Sequence, residues 1–401
     1  MSASASSENH RQNLPQFQAS TRATDLPLCE NINMATIPNL NTLRSGRGGP
    51  RRRGGGRGGL SSDGELDERE SEAARDRVVQ QTDNDASSSR LSAIELGYLD
   101  DEFSQQLWPQ GQNVPKRYPI INRGTYVRTK AVDKLVALFL ESEPQQRKQI
   151  VSLGAGSDTR FFRFWKQGLL HSSGVNYHEL DFEANVNQKR HMTRTSPGLS
   201  DHVKQAEKAG SLYSLHAIDL RDLTKKSPPP VPGLDPELPT LILSECCLCY
   251  LPPDLASSVL QYFTMNIKSS LAMIVYEPIR PFDAFGKTMV SNLASRGIHL
   301  QTLKRYSSLE AQRQRMRLAG LKGGQGARDV YDLWESDVWV PGDERRRVEG
   351  LEWLDEVEEW QLLASHYCVA WGWTGEIFEK AWGMLEGGQT AAETKHDDMG
   401  P

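Results

Sequence analysis

Five short apolar runs do most to limit what this chain can fold into: QIVSLG (149–154), VNYHELDF (175–182), LYSLHAIDL (212–220), PTLILSECCL (239–248) and LAMIVYEP (271–278). Each has the length of a strand and is apolar on both faces, and each is separated from the next by a polar or helix-patterned stretch. Runs of that kind are buried on two sides, which is the condition of a parallel strand with helices above and below it. The pattern predicts an α/β fold: a mostly parallel, doubly wound sheet with helices on both faces and added helices at the N-terminus and near the C-terminus. One such helix is legible in AVDKLVALFLES (131–142), where Val132, Leu135, Val136 and Phe139 recur at i, i+3, i+4 and i+7.

Around this centre the chain is uneven. Residues 1 to about 88 are polar and poor in aromatics, and twelve arginines there and at Arg90 balance twelve acids. Six of the arginines lie in RSGRGGPRRRGGGRGG (44–59), and six of the acids in DGELDERESE (63–72). Such a composition cannot bury enough surface to offset the entropy of ordering, so the segment reads as a disordered tail, dispensable for folding and catalysis. An Arg/Gly run can hold single-stranded RNA, but two neutralising blocks in a solvated tail are the simpler reading. The folded domain is expected over 89–385, with a flexible tail over 386–401. HYCVAWGW (366–373) reads as a late strand after a helix LEWLDEVEEWQLLAS (351–365). SSLEAQRQRMRLAG (307–320) opens with Ser307 and Glu310 in capping-box spacing. The stretch between 321 and 348 is irregular enough to be an insertion.

The net charge of −5 gives no field to draw nucleic acid or a membrane surface. The chain contains no apolar run of about 18 residues, and MSASASSENHRQNLPQ at the start lacks the apolar centre of a secretory signal. A cytoplasmic protein is expected, acting as a monomer, and its five cysteines suit that setting. Cys246, Cys247 and Cys249 fall in an apolar run whose strand alternation would point them to opposite faces, which argues against a zinc site.

In a doubly wound sheet, ligands collect at the carboxyl ends of the strands. Gly154 and Gly156 follow the first strand and leave the backbone bare. Asp181 ends the second strand, 27 residues beyond Gly154, and is well placed for two ribose hydroxyls. Asp219 and Leu220 follow the third, Glu245 the fourth and Glu277 the fifth; Glu277 reads as structural. Acceptors of this kind suit an adenosine with a free ribose and an exocyclic amine. Thr159 stands where a dinucleotide fingerprint needs glycine, and Asp158 would repel a pyrophosphate. S-adenosyl-L-methionine, which has no phosphate, therefore ranks above NAD and ATP. Its carboxylate calls for a cation, for which Arg90, Arg123 and Arg128 are available; spacing does not choose among them.

Taken in order, INRGTYVRT (121–129), IVSLGAGSDTRFFR (150–163), ELDF (179–182), DLRDL (219–223), TLILSECCLCYLPPD (240–254), GLEWLDEVEEW (350–360) and HYCVAWG (366–372) resemble the leucine carboxyl methyltransferases. The resemblance covers about residues 88–383. It implies the class I S-adenosylmethionine-dependent methyltransferase fold and methylation of the C-terminal leucine carboxylate of the protein phosphatase 2A catalytic subunit, which regulates holoenzyme assembly. Carried over by position, it implies cofactor contacts from Arg90, Arg128, Gly154, Asp181, Asp219, Leu220 and Glu245. Arg90 stands where the family usually has lysine. Arg128 and Tyr250 are implied as positioning groups, with no general base. Two alternatives are a related methyltransferase acting on a tRNA wybutosine precursor or small carboxylate, and an RNA-binding protein working through its Arg/Gly run. The tRNA enzymes usually bear a further C-terminal repeat domain, and intact strand-end carboxylates argue against a decayed site.

Overall fold

The computed structural model describes residues 63–386 except 110, 172, 173 and 356. The Arg/Gly run, Cys29 and the residues after 386 lie outside the described residues. Each of the five apolar runs forms a strand: β1 (Lys148–Leu153), β2 (Val175–Asp181), β3 (Leu212–Ala217), β4 (Thr240–Glu245) and β5 (Leu271–Pro278). They pair in parallel in the order β3-β2-β1-β4-β5. Two antiparallel strands, β6 (Gly324–Asp329) and β7 (Tyr367–Thr374), complete a seven-stranded sheet, with β7 between β5 and β6. The chain winds outward in two directions from β1 and β4, so the topological switch point lies between those two strands. This is the doubly wound arrangement of class I methyltransferases.

The side-chain period of two sorts the core into two layers. Ile150, Tyr177, Leu241, Leu243 and Ile274 face one layer, where α2 (Pro119–Glu141), α3 (Arg160–Lys166) and α12 (Glu376–Glu386) pack. Phe139 of α2 stacks on Phe378 of α12 at 4.5 Å, and the Trp382 indole donates to the Leu135 carbonyl at 3.0 Å. Val151, Leu180, Ile242 and Val275 face the other layer, against α6 (Pro253–Asn266). No described helix is long and apolar enough to cross a membrane.

The structure differs from the sequence reading in five places. The stretch 321–348 is no irregular insertion: it holds β6, α9 (Val330–Glu335) and α10 (Gly342–Glu349). β6 carries no apolar run to betray it, and Gly324 is bare because a Cβ there would strike the Trp373 indole of β7. The cap of α8 (Leu309–Leu318) is Ser308, whose side chain accepts from Ala311 N, one residue beyond the expected Ser307. The helix of 351–365 shrinks to α11 (Val357–Ser365), because Glu352 is held as the acceptor for Asn122 Nδ2 at 2.9 Å. β4 ends at Glu245, so the three cysteines lie in the turn beyond it and strand alternation does not govern them.

The fifth difference is the largest. The polar segment expected to be disordered to residue 88 is helical from Asp63: α1 (Asp63–Glu95) runs 33 residues into the domain. Its polar side chains act as long-range partners. Asp76 pairs with Arg221 at 2.6 Å, Asp85 pairs with Arg296 and stands 3.9 Å from Arg117, and Val78 packs on the cluster around Met289 and Leu293. Composition registers how little apolar surface α1 has, but not where its charges find counter-charges. Removing residues 1–85 is therefore expected to take the Asp85 carboxylate from Arg117 and Arg296 and the Asp76 carboxylate from Arg221, which keeps Asp219, and to lower the melting temperature by roughly 5 °C or more. Differential scanning calorimetry of the truncated and full chains checks this; equal transitions would mean that α1 adds no stability.

Candidate active site

The turn after β1 is built for close approach. Gly154 and Gly156 both take left-handed backbone, φ 61° and 47°. A Cβ on Gly154 would sit 2.5 Å from the Cys247 sulfur, and one on Gly156 would strike the Asp83 carboxylate. The β4 turn and α1 thus press on the glycines from two sides. Asp181, at the end of β2, accepts from Gly156 N at 2.7 Å, Phe182 N at 2.7 Å and Asn185 Nδ2 at 3.0 Å. Burial raises its carboxyl, and the two backbone N–H groups only partly offset that. It does not cap α4 (Glu183–Thr195) by the usual route, since Phe182 holds the cap position. Asp219, after β3, accepts from Arg221 N at 2.9 Å and opens a single helical turn (Leu220–Thr224) in which Leu220 is buried.

Glu245 stands at the centre. Arg128 of α2 donates through Nε to one carboxylate oxygen at 2.7 Å, and Arg160 of α3 donates to the other at 2.9 Å. Burial alone would raise this carboxyl, but Arg128 and then Arg160 outweigh it and hold it at about 2. Since its ordinary value is 4.5, ionised Glu245 stabilises the fold fully above that pH, and the contribution is lost as pH falls toward 2. Arg160 also reaches Asp133 at 2.8 Å and Asp158 at 2.5 Å. Arg163 pairs with Asp133 and lies 3.7 Å from Asp101, which Arg90 meets at 3.2 Å. Asp101 further accepts from Thr159 Oγ1 at 2.5 Å, tying the chain of charges back to the glycine turn. Four arginines, at 90, 128, 160 and 163, face four carboxylates, at 101, 133, 158 and 245.

The Arg128 guanidinium lies over the Tyr276 ring at 4.5 Å, and Tyr276 stacks on Tyr367 at 5.6 Å. Tyr250 sits in the helical turn Leu248–Tyr250 and packs, with Val78 of α1, on the cluster around Met289 and Leu293. Burial pushes its phenol well up, so it stays protonated. Cys246, between Glu245 and this wall, takes left-handed backbone at φ 48° while its N–H donates to the Tyr276 carbonyl at 2.8 Å.

Of the residues singled out in the sequence, Gly154, Asp181, Asp219, Leu220 and Glu245 lie at the ends of strands β1 to β4. Arg128 joins them through Glu245 and Arg90 through Asp101 and Thr159, while Tyr250 lies in the turn that follows Glu245. Arg123 does not join them. It lies buried between Trp334, at 4.8 Å, and Trp360, at 5.5 Å, in a separate cleft of about 300 Å³. Glu277 pairs with Arg315 at 2.8 Å, both buried. Sequence reasoning missed Asp83, Arg160, Tyr276 and Tyr367. Only Arg160 left a signal there, as an arginine beside Phe161 and Phe162 in an apolar helix.

The Glu245→Ala variant leaves Arg128 and Arg160 facing each other with no anion between them. Arg160 keeps Asp133 and Asp158, but Arg128 loses a charge-assisted bond worth about 1.5–3 kcal/mol, so loss of thermal stability is expected alongside any loss of ligand binding. Thermal denaturation of the ligand-free variant is the check, and an unchanged transition would show that the clamp contributes no net stability.

With this geometry in view, the relatives can be compared. The sequence profile of the leucine carboxyl methyltransferase family matches residues 68–264. The chain is 52% identical over 381 residues to leucine carboxyl methyltransferase 1 of Aspergillus fumigatus, covering 86% of this chain and 94% of that protein. It is 51% identical over 391 residues to the protein of the same name from Emericella nidulans, covering 89% and 99%. The Yarrowia lipolytica protein of that name is 42% identical over 321 residues, covering 74% and 97%.

Proposed function

Because the chain belongs to the leucine carboxyl methyltransferase family, we propose that it transfers the methyl group of S-adenosylmethionine to the α-carboxylate of the C-terminal leucine of the protein phosphatase 2A catalytic subunit. The cradle suits such a cofactor. Its turn is bare where a Cβ would be blocked, no lysine or arginine side chain among the described residues is paired to Asp181, and its acceptors end adjacent strands. Asp181 and Asp219, with Leu220 as an apolar edge, are assigned to the nucleoside. Arg128 is assigned to the methionyl carboxylate with Arg90 as the second cation, and Glu245, fixed beside Arg128, to the methionyl ammonium. When bound, the cofactor supplies an electrophilic methyl group on a positively charged sulfur.

The observation that carries this reading is the clamp on Glu245. Both its oxygens are taken by arginines and its carboxyl is held at about 2, so it cannot accept a proton near neutrality. A nucleophile that arrives already deprotonated suits such a site, since it asks nothing of Glu245. A leucine α-carboxylate is one, since an α-carboxyl ionises at about 3.3–3.7. The protein's task is then to align the reacting groups and exclude water. Arg128, held by Glu245 and Tyr276, orients the cofactor's carboxylate. Tyr250, still protonated, can donate a hydrogen bond to the entering carboxylate without removing anything from it. A strong second cation on that carboxylate would blunt its attack, and the arginines of the clamp are already paired.

Two measurements test the reaction type. At saturating substrate the rate should be nearly flat between about pH 6 and 8.5, because neither the nucleophile nor Glu245 changes charge there. The product should release methanol in mild alkali, as an ester does. A rate that climbs tenfold per pH unit through neutrality, or a methyl group that survives alkali, would exclude a carboxylate acceptor.

A further inference from the structure

The charges around the cradle are not uniformly paired. Glu245, Asp158, Asp133, Asp101, Asp219 and Asp85 each meet an arginine. Asp83 and Asp181 form no ion pair with a described residue, and they flank a single peptide link of the glycine turn. Gly156 N donates to Asp181, while Ser157 donates to Asp83 through both N, at 2.8 Å, and Oγ, at 2.6 Å. The cation that acts on Asp83 from farther off, Lys189, is already engaged with Glu179 at 2.5 Å and with the Asp158 carbonyl at 2.7 Å. Burial raises both carboxyls; the Asp158 charge adds to the rise of Asp83, and the Asp83 charge to that of Asp181. Two like charges thus meet across the turn at which Gly156 has given up its side chain to let α1 in. The folding of α1 does not require a carboxylate there, since an asparagine could accept from Ser157 N through its oxygen and donate to the Ser157 hydroxyl through its nitrogen.

We propose that Asp83 is a specificity-determining residue that reads the charge of the cofactor, favouring S-adenosylmethionine over the S-adenosylhomocysteine left after transfer. This rests on the reading that the glycine turn holds that cofactor. In the transfer the S–CH₃ bond breaks, its electron pair stays on sulfur, and a carboxylate oxygen forms the new O–CH₃ bond. The cofactor passes from a net charge of +1 to zero, and the acceptor from −1 to zero. Two unpaired carboxylates at the turn stabilise the cationic form and gain nothing comparable from the neutral one. Because one of the two is carried by α1, the same charge loss weakens the hold of α1 on the turn, so product leaves a site whose cover has loosened.

The test is calorimetric titration of the full chain and its Asp83→Asn variant, with S-adenosylmethionine and with S-adenosylhomocysteine separately. Asparagine keeps the shape and an acceptor for Ser157, so a merely structural pin survives it. The expected result is a loss of about fivefold or more in affinity for S-adenosylmethionine, with affinity for S-adenosylhomocysteine unchanged or improved. Equal changes for both ligands, or none for either, would overturn the proposal. Failure of the unsubstituted chain to bind either ligand would overturn the cofactor reading itself, and this inference with it. The ligand-free melting temperature supplies a second readout. Removing an uncompensated charge should leave it unchanged or raise it, whereas a drop of several degrees would mark Asp83 as a structural pin and overturn the proposal.

Discussion

Glu245, held between Arg128 and Arg160, is the interaction on which the rest of the site depends. Its backbone ends β4, Arg128 comes from α2 and Arg160 from α3, so one carboxylate fixes two helices against the open end of the sheet. A carboxylate so deep in the fold is tolerated because both its oxygens accept charge-assisted hydrogen bonds. Arg160 extends the same logic to Asp133 and Asp158, and through Arg163 to Asp101 and the glycine turn. The charges balance four against four, which keeps a polar cluster stable beneath a ligand site that must itself be largely dry. Its chemical consequence is that the best-placed carboxylate is permanently ionised and cannot serve as a base.

A second constraint comes from α1. Its acids meet Arg221 beside Asp219, Arg117 and Arg296 farther along, and Ser157 in the glycine turn. The helix therefore touches the ends of β1 and β3 and, through Val78, shares an apolar cluster with Tyr250 of the turn after β4. Binding at the strand ends and docking of α1 share one set of charges. A site covered by a polar helix can open without exposing a large apolar surface, which suits a cofactor that must exchange after every turnover.

Much of the fold was legible because it rests on period. The five parallel strands and β7 followed from apolar runs, and α2 from a stripe of four residues. Elements that rest on contacts distant in sequence were not legible. β6 is an edge strand of glycines and polar residues that exists because β7 offers it a ladder. α1 exists because arginines far along the chain receive its acids. At the site, the acids at strand ends could be read from position alone, as topology places them there in any doubly wound sheet. Arg123 and Arg128 could not be told apart by spacing. They lie five residues apart on one helix, and only the fold sends one to Glu245 and the other between two tryptophans. Asp83 carried no local signal, for its importance lies in a glycine 73 residues away.

The most direct test of the central claim, that this site methylates a terminal leucine carboxylate, is to incubate the purified chain with methyl-labelled S-adenosylmethionine and the phosphatase 2A catalytic subunit, intact or lacking its last leucine. The account predicts label on the intact subunit and none on the truncated one. Equal labelling of the two, or labelling of neither by a chain that binds the cofactor, would contradict it.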